Sequence, residues 1–228
     1  LNLFELVTDA FSKDEKIEIT NRKVREIAQN KMAIYDKSGE QHYDIISAFI
    51  KSIRGSDPNA ALYWLARMIE GGEEVKFIAR RLIISASEDI GLANPNALLI
   101  ATNTFQAVNM IGYPEAEIVL AQCVTCLACS PKSNASYLAI KKAKQLVRET
   151  GDLPIPLHLR NAPTKLMKEL NYGVGYKYSH DFPENFAYQE FMPAEISKNT
   201  LYEPQDNIRE KEFQKKLENL WGKKYHYN

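Results

Sequence analysis

The sequence predicts an all-α protein, a multi-helix orthogonal bundle whose C-terminal third is proline-rich and irregular. Apolar residues recur three and four positions apart over most of the first 150 residues, which is the period of an amphipathic helix. No segment alternates apolar and polar residues toward a hairpin turn. The breaks between apolar stretches are short and carry Gly, Pro, Ser or Asp, as they do between packed antiparallel helices.

Taken in order, Leu3, Leu6, Val7 and Ala10 form a first stripe. Val24, Ile27 and Ala28 form a second, behind the start signal Thr20-Asn21. "YDKSGEQHYD" reads as a polar loop, and apolar positions 45, 46, 49, 50 and 53 then predict a helix from Tyr43 to Ile53. The next helix has Ser56 or Asp57 at its cap, Pro58 in its first turn and Gly71-Gly72 at its exit. A further helix over 73–87 is expected to pair with it as a helical hairpin. Three more follow, divided at Gly112-Tyr113-Pro114 and at Ser130-Pro131. Beyond Gly151, six prolines between 154 and 204 punctuate a Tyr-rich stretch, and a last helix is expected from Arg209 to Leu220.

Composition excludes several classes. The 228 residues hold 29 basic and 29 acidic side chains, so bulk charge alone calls for no polyanionic partner. No apolar run approaches the ~20 residues of a membrane span. The start lacks Met and opens in mid-pattern, as expected of a piece of a longer protein. Cys123, Cys126 and Cys129 are clustered and odd in number, which suits a reducing cytoplasm and buried apolar roles. No fourth ligand lies near them, so no metal site is expected. The histidines and serines fall in no nucleophile pattern, and no phosphate-cradling glycine loop occurs. Glu88 and Asp89 are expected to pair with an arginine such as Arg80 or Arg81 rather than to act as an acid/base couple. No catalytic residue is expected.

Local charge remains. From Pro131 to Lys177 nine cations face three carboxylates, a charge of +6 in a neutral chain. Such segregation can focus a field on a phosphate backbone. The candidates there for DNA or another anion are Lys132, Arg160, Lys165, Lys168 and Lys177. Tyr172, Tyr176 and Tyr178 either stack on exposed bases or pack a loop onto the core. Lys51 and Arg54 form a smaller set just ahead of a helix N-terminus, where backbone N–H groups favour anions. Trp64 sits at core spacing with Leu62, Leu65 and Ile69.

Four blocks, "HYDIISAFIKSIRGSDPNAALYWLARMIEGGE", "ARRLIISASEDIGLANPNAL", "LACSPKSNASYLAIKKA" and "PIPLHLRNAPTKLMKELNYGVGYKYSHD", resemble the C-terminal portion of the replication-associated recombination protein A family. Its eukaryotic relatives are the Werner-helicase-interacting ATPases and the maintenance-of-genome-stability proteins. The resemblance covers nearly the whole chain; only "SKDEKIEI" and the tail after Tyr202 stand apart. It implies a parent that is a clamp-loader-like AAA+ ATPase acting on DNA at stalled or damaged replication forks. It also implies a bacterial cytoplasmic protein associated with the nucleoid. Residues 1–72 would be the later part of the AAA+ lid and its associated helices, and 73–228 a helical oligomerisation domain. The implied partners are further copies in a homotetramer, single-stranded or forked DNA, and single-strand-binding protein or other fork proteins. ATP and Mg would belong to a part of the parent preceding Leu1, and this fragment is expected to have no cofactor and no enzyme activity of its own. Whether "HLRNAPTKLMKELNYG" meets DNA, another subunit or its own core stays open.

Overall fold

A computed structural model describes Thr20 and residues 40–227 of the chain. The stripes expected at 3–10 and 24–28 lie outside the described residues. Among the described residues there are eight α-helices and no β-strand, so the fold is all-α. Their packing divides the chain into two compact units: one holds the described residues up to Ile90 and Asn94–Lys132, the other Gly91–Ala93 and Ser133 onward.

The first unit contains α1 (Glu40–Arg54), α2 (Pro58–Glu70), α3 (Val75–Ser85), α4 (Asn96–Ile111) and α5 (Ala116–Cys129). Helix α1 starts at Glu40, three residues before the expected start at Tyr43, so residues 40–42 are helical where the sequence reading placed a loop. His42 extends its inner face by meeting the Glu73 carboxylate at 3.2 Å. The start of α2 is local chemistry. Asp57 takes an extended conformation and its carboxylate accepts the Ala60 N–H at 2.9 Å, with Pro58 in the first turn. Phe49 and Ile53 of α1 are fully buried with Met68, Ile78, Leu82, Leu120 and Leu127 from the other helices. Trp64 is half-buried against this core. Helix α3 ends at Ser85 and passes into a π-helical turn, Ala86–Ile90. The Tyr113 hydroxyl donates to the Glu73 carbonyl at 3.1 Å. Burial, with Glu117 and Glu73 nearby, pushes that phenol up to about 12.

The second unit contains the 3-10 turn Gly91–Ala93, α6 (Ala135–Thr150), the short α7 (Lys165–Glu169) and α8 (Ile208–Tyr225). Gly91 has φ +47°, and a Cβ there would sit 2.7 Å from the Ser133 carbonyl oxygen, so no other residue fits without strain. Helix α8 is capped by Asn207, whose side chain accepts the Glu210 N–H at 3.0 Å. Glu210 itself is fully buried and accepts from the Tyr202 hydroxyl and the Asn207 amide. The helix runs five residues past the expected end at Leu220. Trp221 and Tyr225 carry it on, packing with Phe186, Tyr188 and Phe191. Lys224, nearly buried, lies over both rings and pairs with Glu190 at 2.7 Å.

Candidate nucleic-acid and anion surfaces

The sequence-selected cations occupy different settings. Lys132 is held by its own backbone surroundings. Its ammonium donates to the carbonyls of Leu127, Ala128 and Ser130, at 3.2, 2.9 and 2.6 Å, and to the Ser56 hydroxyl at 2.9 Å. A cation there closes the C-terminal end of α5, where unpaired carbonyls concentrate negative potential. Burial lowers its pKa, opposed by the charge of Asp89 and Cys129.

Arg160 is likewise engaged within the second unit. Its Nε donates to the Ile155 carbonyl at 2.7 Å, a terminal nitrogen donates to the Tyr172 hydroxyl at 3.1 Å, and the guanidinium lies over the Tyr172 ring. Tyr172 is thus half-buried beneath an arginine, while Tyr176 and Tyr178 are exposed. The Lys177 ammonium donates to the Tyr188 carbonyl at 3.4 Å. Lys165 and Lys168 are exposed on α7 with no side-chain partner among the described residues.

A surface the candidate residues did not include lies on α6. Tyr137, Lys141, Lys144 and Arg148 follow one another three or four positions apart and, with Ile140, line one shallow depression of about 430 Å³. The three cations have no side-chain partner among the described residues, and no carboxylate lines the depression. Their neighbour Lys142 differs, because it pairs with Glu203 at 2.6 Å. Only Ala135 of this helix is buried.

Lys51 and Arg54 lie on α1 and line a groove of about 330 Å³ against α3, within the first unit. Arg54 is committed: its Nε donates to Asp89, and a terminal nitrogen lies 3.4 Å from Glu88. Asp89 is nearly buried and also accepts the Ser85 hydroxyl at 2.9 Å. Glu88 and Asp89 thus pair with an arginine, but it is Arg54 and neither Arg80 nor Arg81. The π-helical turn follows Ser85, and both carboxylates meet α1, while Arg80 pairs with Glu74 at 3.6 Å. Among the described residues Lys51 has no ion-pair partner, and the buried Nε of Arg81 has no hydrogen-bond partner.

The cysteines are graded along α5: Cys123 buried, Cys126 intermediate and Cys129 exposed. Burial pushes the Cys123 thiol up to about 11. Among the described residues no three His, Cys, Asp or Glu side chains are grouped to hold a metal. No helix among them is long and apolar enough to cross a membrane.

Comparison with known proteins adds to this geometry. The family described as MgsA AAA+ ATPase C terminal matches residues 55–221, and the one described as AAA C-terminal domain matches 1–54. Over 220 residues, 96% of the chain, it is 41% identical to replication-associated recombination protein A of Coxiella burnetii, covering 50% of that protein. The Escherichia coli K12 protein of the same name is 42% identical over 220 residues, 95% of the chain and 49% of that protein. An uncharacterised Thermotoga maritima protein is 45% identical over 225 residues, 99% of the chain and 36% of that protein. The chain thus spans half or less of the length of these relatives.

Proposed function

The chain belongs to the MgsA AAA+ ATPase C-terminal family, and from that premise we propose that it is the C-terminal oligomerisation module of a clamp-loader-like AAA+ ATPase. The whole protein acts on DNA at stalled or damaged replication forks, in replication-linked recombination. Nucleotide and Mg belong to the ATPase part. The phosphate-loop pattern occurs nowhere in these 228 residues, so no hydrolytic step is assigned to them.

One observation carries the assembly reading. Helix α4 turns its small residues inward, burying Ala97, Ala101, Thr104 and Val108, and leaves Leu98, Leu99, Met110 and Ile111 exposed. Met110 is 78% exposed, and so, at 72%, is Ile118 on α5. A helix that faces its large apolar side chains away from its own core presents a surface for another chain. Further copies of the same chain are the occupants proposed. Light scattering of the 228-residue chain at micromolar concentration gives about four chains per particle, and Leu99→Glu with Met110→Glu lowers that number. A strict monomer for the unmodified chain overturns the reading.

A second reading rests on the α6 face. Three cations without carboxylates beside them, flanked by an exposed tyrosine, match the backbone and bases of a single strand. Lys141→Glu with Lys144→Glu and Arg148→Glu removes binding of a single-stranded oligonucleotide, while Lys132→Met leaves it. Unchanged binding by the triple variant returns α6 to a structural role.

A further inference from the structure

The groove between α1 and α3 contains an observation that neither assembly nor the α6 face uses. Arg81 Nε is buried and meets no hydrogen-bond partner among the described residues. Buried donors are almost always satisfied in folded proteins, and leaving one bare is costly. The carboxylates along the groove do not supply the missing partner, because Glu88 and Asp89 are both engaged by Arg54 and Asp89 also by Ser85. On the opposite wall Lys51 has no ion pair among the described residues. The groove lining therefore carries three cations, Lys51, Arg54 and Arg81, against the carboxylates of Glu88 and Asp89, a net charge of +1, and Lys51 and Arg81 form no ion pair among the described residues.

Its other features describe the ligand. Ile46, Ile50 and Ile84 give it an apolar lining, and the exposed ring of Tyr43 stands among its lining residues. A volume of about 330 Å³ is at the small end of ligand sites and admits one ring system with one charged group. An excess of cations over carboxylates favours an anion, and Lys51 and Arg81, neither in an ion pair among the described residues, can meet two oxygens of one phosphate monoester. The planar fork of an arginine matches phosphate oxygens, and the lysine adds a point charge.

We propose that this groove binds one nucleoside phosphate, its phosphate between Arg81 and Lys51 and its base against Tyr43 and the isoleucines. The phosphate reaches the groove on a free mononucleotide or on the phosphorylated end of a DNA strand. The proposal stands apart from the oligomerisation reading, because it concerns a groove within one unit of one chain.

Isothermal titration of the 228-residue chain with deoxyadenosine monophosphate, deoxyadenosine and inorganic phosphate tests it. The monophosphate binds more tightly than either fragment. Arg81→Met and Lys51→Met each weaken it about ten-fold, the loss of one charge-assisted hydrogen bond. Both variants retain an apolar stem, and circular dichroism establishes that they are folded. The doubly substituted Lys141→Glu, Lys144→Glu chain binds the monophosphate unchanged. Competition separates the sources: displacement by a 5′-phosphorylated oligonucleotide but not by its 5′-hydroxyl form assigns the groove to strand ends. Displacement by neither assigns it to the free nucleotide. Absence of binding at millimolar monophosphate, equal affinity for inorganic phosphate, or unchanged affinity in both methionine variants overturns the proposal.

Discussion

Replacing Arg54 by Met separates a structural from a ligand-binding role for a residue that the sequence marked as an anion contact. The Asp89 side chain is only 5% exposed and holds two partners, Arg54 and the Ser85 hydroxyl. Removing the guanidinium leaves a buried carboxylate with one neutral donor. Breaking a fully buried pair from one side costs about 3–5 kcal/mol, because the remaining charge stays desolvated. Arg54 is 49% exposed, so its own share of the attraction is screened by water, and the expected cost falls to about 2–3 kcal/mol. Urea denaturation reads this as a lower midpoint with an unchanged slope, the mark of lost stability rather than a changed denatured state. The control is Asp89→Asn with and without Arg54→Met. With the charge removed, the second substitution costs at least about 1 kcal/mol less than it does alone. A cost below about 0.5 kcal/mol for Arg54→Met, or strict additivity in the cycle, refutes the reasoning.

Three further outcomes follow from other parts of the molecule. Gly91→Ala drives a Cβ to 2.7 Å from the Ser133 carbonyl at a positive φ. It should cost about 2 kcal/mol, read as a drop of about 4–8 °C in Tm by calorimetry. The Lys224–Glu190 pair predicts a bounded pH window. Burial pushes the Glu190 carboxyl up, but hydrogen bonds from Lys224 and from the N–H groups of Met192 and Phe191 hold it below its usual range. Burial pushes Lys224 down, and the hydrogen bonds with Glu190 and Tyr225 outweigh it and raise it. The depressed acid stabilises the fold above its unfolded pKa of about 4.3, and that stability is lost as pH falls through the folded value. The raised amine stabilises below about 10.4, and that contribution is lost as pH rises through the folded value. Urea midpoints should therefore show Lys224→Met costing most between about pH 5 and 10, and a deficit that does not shrink at the extremes refutes the pairing. Finally, iodoacetamide at mildly alkaline pH should modify Cys129 before Cys123, whose buried thiol stays protonated, as peptide mass spectrometry reads directly.

What the sequence revealed was local, and what it hid was long-range. The start of α2 was legible because Asp57, Pro58 and the closing glycines act within one turn of themselves. The run of α8 beyond Leu220 was not, because it depends on Trp221 meeting aromatic rings from 30 residues upstream. Arg54 and Asp89 stand 35 positions apart, and no spacing rule brings them together. Lys132 could have been recognised, since a lysine just past a helix end is a standard carbonyl partner. The α6 face also carried its signal: Lys141, Lys144 and Arg148 were counted as charge, but their shared helical face was not drawn from the count.

That distinction matters for the strength of any DNA contact through residues 131–177. Of the nine cations there, Lys132, Lys142, Arg160 and Lys177 already donate within the protein. A cation that caps carbonyls or clasps a tyrosine releases few counterions, because it cannot turn to a phosphate without breaking those bonds. Lys141, Lys144, Arg148, Lys165 and Lys168 remain available among the described residues. For a single strand, each phosphate neutralised contributes about −0.7 to the slope of log affinity against log salt. Replacing Lys141, Lys144 and Arg148 by Gln should flatten that slope by about 2, and replacing Lys165 and Lys168 by a further ~1.4 if α7 joins the same surface. Lys132→Met should leave the slope alone while lowering stability, because the carbonyls closing α5 lose their donor. Should Lys132→Met flatten the slope while the α6 triple variant leaves it intact, the phosphate contact lies at the end of α5 and not on α6.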